Sequence, residues 1–232
     1  MSNTSLIALI VVTGALLSLN PSTIAIFSAL LAGSLGKGHS KIERHGVALS
    51  FLLSSFFMYT IFGCLLIIFL NLFSHPALLN ISFAIAIASV LWGLVNVKDY
   101  YWYGKHRDIS VRLAKTLHNK TVKKNDPVSA GMLGLVAAYA ALPNIGMPLF
   151  SFAAIITLLR PYNTNLMLLL ACMLILPLVI ILIVSLNELK LSSVLKWKED
   201  SKGIFRLCIG LTTIFLGWVL FLILNGSIGV SV

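Results

Sequence analysis

The chain has 232 residues, of which 59% are apolar and 10% charged, against about 25% charged in an ordinary soluble domain. No soluble fold of this size can hide that much apolar surface. The formal net charge of +10 would suit nucleic acid, but the 17 Lys and Arg residues sit in the polar stretches flanking long apolar runs, which leaves no basic fold for nucleic acid to bind.

In chain order, the uncharged apolar stretches are Leu6–Leu35, Val47–Leu72, Ala77–Val97, Val128–Leu159, Leu166–Leu186 and Leu207–Leu224. Each is near or above the roughly 20 residues that a membrane helix needs. They predict six transmembrane helices in an all-α membrane protein. Ser2, Asn3 and Thr4 give the first stretch no basic leader, and its apolar run is too long for a signal sequence, so span one is expected to stay in the mature chain.

Span one carries Leu19-Asn20-Pro21-Ser22-Thr23, a predicted break. The loop after it holds Lys37, Lys41 and Arg44 with His39 and His45. Span three closes on Trp92 and the run Tyr100-Tyr101-Trp102-Tyr103 beside Lys98, the aromatic belt of a membrane interface. A connector from Lys98 to Asp126 follows, with eight basic residues. Its Ile109 to Asn119 stretch alternates apolar and basic side chains, which fits either a short surface-lying segment or a docking site for a soluble partner. Span four carries the second predicted break, Leu142-Pro143-Asn144-Ile145-Gly146-Met147-Pro148, and span five a lone packing proline, Pro177.

The basic residues orient the chain. Sixteen of the 17 lie in the loops after spans one, three and five, and only Arg160 lies on the other side. The positive-inside rule makes those three loops cytoplasmic and puts both termini outside a cell membrane, inner or plasma. Residues 1–97 and 127–232 then read as two three-helix repeats joined by the 98–126 connector. Each half has an odd number of spans, so the two enter the bilayer from opposite sides as a 3+3 inverted repeat, with helices one and four broken at proline. Paired breaks of this kind point to a binding site near the midplane, although prolines also kink helices for packing alone. The candidate solute-binding residues are Asn20, Pro21, Ser22, Thr23, Pro143, Asn144, Gly146 and Pro148.

Catalytic constellations are missing from the sequence. Glu43, Asp99, Asp108, Asp126, Glu188, Glu199 and Asp200 all lie in or beside the basic loops, which argues against a pump built on an intramembrane acid. His39, His45, His75, His106 and His118 read as solvated loop residues, so no metal site is expected. Cys64, Cys172 and Cys208 lie apart in spans two, five and six among Leu, Ile and Met, where cysteine acts as a small hydrophobe. With no haem-attachment, phosphate-loop or dinucleotide motif, no cofactor is expected.

The first broken span, the Gly93 to Gly104 run, the Leu142-Pro143 break with Gly146 and Pro148, and Leu176-Pro177-Leu178 together resemble the CcdA/DsbD transmembrane family of cytochrome c biogenesis, in the LysE-like superfamily. The resemblance covers essentially the whole chain. It implies a carrier of reducing equivalents from a thioredoxin-like protein to thiols outside, through one cysteine in each broken helix. Those positions hold Ser22 and Asn144 here, and Ile145 and Met147 replace the usual Thr and Gly. Thiol–disulfide exchange needs a thiolate, which neither a hydroxyl nor an amide supplies. The expected function is therefore binding or transport of a small solute between the two broken helices. The alternatives are thiol–disulfide electron transfer through other cysteines or a thioredoxin-like partner, and a scaffolding role beside another membrane subunit.

Overall fold

The computed structural model describes residues 3–36, 41–101, 126–160, 162–186 and 191–226. The connector from 102 to 125, with its surface segment and with His106 and His118, lies outside the described residues, as does His39. All regular structure among the described residues is helical: α1 Asn3–Leu17, α2 Pro21–Gly36, α3 Lys41–Asn71, α4 His75–Tyr101, α5 Pro127–Leu159, α6 Asn165–Leu186 and α7 Leu191–Leu224.

Five of these contain stretches long and apolar enough to cross a bilayer: Glu43–Asn71, His75–Lys98, Pro127–Leu159, Asn165–Val184 and Gly203–Leu224. α1 and α2 reach that length only together, as a pair bent by 62°. The outward faces carry large apolar side chains in register. Leu53, Phe57, Ile61 and Leu65, one turn apart along α3, are each more than half exposed, and Phe83, Ile87 and Leu91 form a second exposed stripe on α4. Water would make such stripes prohibitive, whereas acyl chains solvate them at no cost. The described residues are all-helical, and the chain is a multi-pass membrane protein.

Inside, close approach of backbones holds the helices. α4 packs along α7, and a Cβ placed on Gly93 would stand 2.7 Å from the carbonyl oxygen of Gly210, with the reverse distance 2.9 Å. Further along the same pair, a Cβ on Gly217 would lie 2.9 Å from the Ala86 carbonyl. α3 packs as extensively on α5, where a Cβ on Gly134 would come within 2.5 Å of the Phe51 carbonyl and the Ser55 hydroxyl donates to the Gly134 carbonyl at 3.1 Å. Small residues and interhelical hydroxyl bonds are the usual means of association in lipid, where burying one apolar side chain against another gains little over burying it in acyl chains. The buried side chains form two clusters: one around Phe152, Leu170 and Leu220, the other around Phe27, Phe51 and Ala137.

The two expected proline breaks come out differently. α1 ends at Leu17 and α2 begins at Pro21, so the first break is present. The second is not: α5 runs without interruption from Pro127 to Leu159 through both Pro143 and Pro148. A proline disfavours the helical conformation in the residue before it, and that applies equally to Asn20 and Leu142. Asn20 can cap a new helix with its side chain, whereas Leu142 has nothing to offer the freed N–H groups. Restarting the helix after Leu142 would strand those groups in hydrocarbon, so losing one hydrogen bond at each proline within a continuous helix is the cheaper solution.

Candidate functional site

The break between α1 and α2 is built from its own polar residues. At the end of α1 the last turn tightens, with the Leu19 N–H donating to Leu16 O at 3.4 Å. The Ser18 hydroxyl donates to the Ala15 carbonyl at 2.5 Å. Asn20 then caps α2: its Oδ1 accepts the Ser22 N–H at 3.1 Å, and its backbone carbonyl accepts the first helical bond from Ile24 N–H at 3.2 Å. Pro21 occupies the first helical position, where its missing N–H costs nothing and its fixed φ suits the helix.

Asn20, Ser22 and Thr23 are all deeply buried, with Asn20 only 3% exposed. The bond from Ser22 fixes the orientation of the Asn20 carboxamide, because a flipped amide would set two donors against each other. The Nδ2 group is thereby held at the start of α2, buried, with no hydrogen-bond partner among the described residues. The Thr23 hydroxyl is buried as well, with a phenol as its polar neighbour. That phenol belongs to Tyr59, a buried residue of α3.

Buried hydroxyls without a partner, at Thr60, Ser82 and Thr157, are scattered over α3, α4 and α5. Asn20 and Thr23 are three residues apart at one helix start, and the carboxamide carries two N–H donors where a hydroxyl carries one. An amide stranded in an apolar interior costs several kcal/mol, so its persistence calls for a partner that is bound rather than built in.

The second half of the expected site is arranged differently. Pro143 is exposed, Asn144 and Gly146 are half-buried, and Pro148 is buried. Pro143 and Gly146 line an apolar groove of about 230 Å³ with Trp92, Leu142, Met147 and Phe150. Asn20, Ser22 and Thr23 are not among its lining residues. α2 packs on α5, so the two halves of the site belong to contacting helices. The polar chemistry is concentrated at the α1–α2 break, and the Pro143 and Gly146 side presents an apolar surface.

Two features of the sequence went unused in the reading of the site. Tyr59, from another helix, lies beside Thr23 at the polar break, and the available signal was a polar-tipped aromatic in the middle of an apolar span. Where α5 turns into α6, Arg160 and Asn163 line a cavity of about 290 Å³ with Leu6, Ile7 and Leu166. Tyr162 there takes a positive φ of 63°, a tight turn between α5 and α6.

Cys64, Cys172 and Cys208 are free thiols on α3, α6 and α7, and Cys172 is exposed. Among the described residues no three His, Cys, Asp or Glu side chains gather as a metal site would require. No family model, curated protein or solved structure significantly matches this chain.

Proposed function

We propose that this protein binds a small polar solute at the α1–α2 break and carries it across the membrane, on a scaffold of CcdA/DsbD type that has lost its redox chemistry. The observation that carries the reading is the Asn20 carboxamide, fixed by its cap bond to Ser22 and left with a buried, unpartnered Nδ2. A permanently closed scaffolding subunit would have no reason to keep that group, since a serine there would cap α2 without burying a spare amide donor. An occluded carrier keeps it for its cargo.

The pattern of helix contacts supports an inverted repeat. If α1 and α2 together form span one, the contact of span two with span four (α3 on α5) has its counterpart in that of span five with span one (α6 on α1). Span three on span four (α4 on α5) likewise has its counterpart in span six on span one (α7 on α2 and α1), while span three and span six (α4 on α7) pair with each other. Such an arrangement allows one bundle to rock against the other about a central site. The excess of Lys and Arg in alternate loops supports an orientation with both termini outside.

No observation favours electron transfer through Cys64, Cys172 or Cys208, all of them free. Two experiments test the proposal together. Uptake of small polar solutes by proteoliposomes is expected to fall about tenfold or more on Asn20→Leu, which removes both the cap and the free donor. Reduced thioredoxin is expected to form no mixed disulfide with the purified protein, and formation of one would overturn the non-redox reading.

A further inference from the structure

We infer that the solute held at the α1–α2 break is a small monovalent carboxylate, an inference that rests on the proposed binding site and names its chemistry. Three observations converge. The start of α2 is the positive end of a 16-residue helix, equivalent to about half an elementary charge. Asn20 Nδ2, unpartnered among the described residues, can donate and cannot accept, and Thr23 Oγ1, with the Tyr59 phenol as its polar neighbour, can donate as well. Residues 1–36 contain no Asp, Glu, Lys, Arg or His, so span one brings neither an acid to repel an anion nor an amine to neutralise one fully.

The charge and donor count set the ligand class. A cation would meet the wrong end of the helix and two donors. A neutral solute would use the donors but leave the dipole unanswered. A divalent anion would bury a second charge with no counter-charge, at a desolvation cost the site cannot offset. A monocarboxylate brings two acceptor oxygens to two donors and one charge to the helix start, where half-helix N-termini in transporters receive anionic groups. The phenol of Tyr59 beside Thr23 is a further donor close by.

The test measures binding directly, apart from transport. Thermal unfolding of the purified protein in detergent is followed while sodium acetate replaces an equal concentration of sodium chloride, the monovalent anion lacking two oxygens, with acetamide as the neutral isostere. Acetate should raise the unfolding temperature above that in chloride, and acetamide should not. An unfolding temperature no higher in acetate than in chloride would overturn the carboxylate assignment. Asn20→Asp keeps the acceptor that caps Ser22 but puts a carboxylate where the donor stood, and it should weaken acetate binding roughly ten- to a hundredfold or more. Should that variant not fold, the isosteric Thr23→Val decides, with an expected loss of roughly tenfold.

Stabilisation by acetate that is absent, or that persists unchanged in both variants, would overturn the inference and leave a trapped water as the partner of Asn20. The two proposals also fail separately. If proteoliposomes take up glycine or glycerol in an Asn20-dependent way while acetate does not bind, the carrier reading stands and the carboxylate falls. If acetate binds through Asn20 and no solute crosses, the site stands and the carrier falls.

Discussion

The Oδ1 of Asn20 accepts the backbone N–H of Ser22 at 3.1 Å, so the residue that ends one half of the bent pair also starts the other. The same carboxamide leaves Nδ2 facing the interior without a partner. These two roles separate by mutation. Asn20→Ser keeps a capping oxygen and removes the free donor, so it should change stability by only a few tenths of a kcal/mol while lowering solute uptake. Asn20→Ala removes both and should cost about 1 kcal/mol in addition. Thermal unfolding in detergent, run beside uptake in proteoliposomes, checks the pair. Equal uptake by the Ser variant and the native protein would remove Asn20 from the site.

The contrast between Pro21 and Pro143 gives a second prediction. Pro143 lies inside a continuous α5, where it denies a hydrogen bond to the carbonyl four residues back, that of Tyr139. Pro143→Ala restores that donor and should stabilise the protein, by about 1 kcal/mol or more, with uptake changed less than twofold. Pro21→Ala removes the residue that keeps Asn20 out of the helical conformation, so α1 and α2 can straighten into one helix. Uptake should then fall. A collapse of uptake in the Pro143 variant instead would mean that an interrupted α5 is the working form.

Glycine substitutions sort the tight contacts from the open ones. Gly93→Ala and Gly210→Ala each press a methyl group against the backbone oxygen of the facing helix, at 2.7 and 2.9 Å in the unrelaxed geometry. Backbone cannot yield as a flexible side chain can, so each should cost about 1–3 kcal/mol, and the double variant should cost less than the sum because one separation of α4 from α7 relieves both. Gly146→Ala meets nothing within 4 Å and should change stability by less than about 1 kcal/mol. If Gly146→Ala still impairs uptake, the space beside it serves the moving solute or the moving helix.

Six apolar stretches, the break at Asn20-Pro21 and the polar character of Ser22 and Thr23 were legible in the sequence because each rests on a local property: run length, proline geometry, a capping side chain. The second break was not. Leu142-Pro143 carries the same proline signal as Asn20-Pro21, and what separates them is whether the preceding side chain can cap, together with the packing of α5 on α3 through Gly134. Pairing is equally hidden. Nothing local marks Gly93 as the partner of Gly210 or Tyr59 as the neighbour of Thr23, since glycines and tyrosines recur elsewhere in the spans and only tertiary approach selects these. The division of the expected site into a polar break and an apolar groove at Pro143 and Gly146 follows from side-chain direction on α5, which a proline pattern does not encode.

Ser89 on α4 and Ser151 on α5 face each other with their hydroxyl oxygens 2.6 Å apart, both fully buried, and so link two spans that belong to different halves of the chain. Either single Ser→Ala change strands the remaining hydroxyl in an apolar interior and should cost about 1–2 kcal/mol. Removing both leaves no orphan, so the double variant should be less damaged than the two singles combined. The coupling read from the cycle should fall near 0.6 kcal/mol and not above about 1.7, the range for hydroxyl bonds between membrane helices, because the separated helices also find partners. Unfolding of the four proteins in detergent measures it directly. A carrier that rocks the α3–α5 pair against the α4–α7 pair must break or slide this contact in each cycle. The double variant should therefore alter the rate of uptake while leaving the affinity for solute within about twofold, and a change in affinity alone would place the pair at the site instead of at the sliding surface.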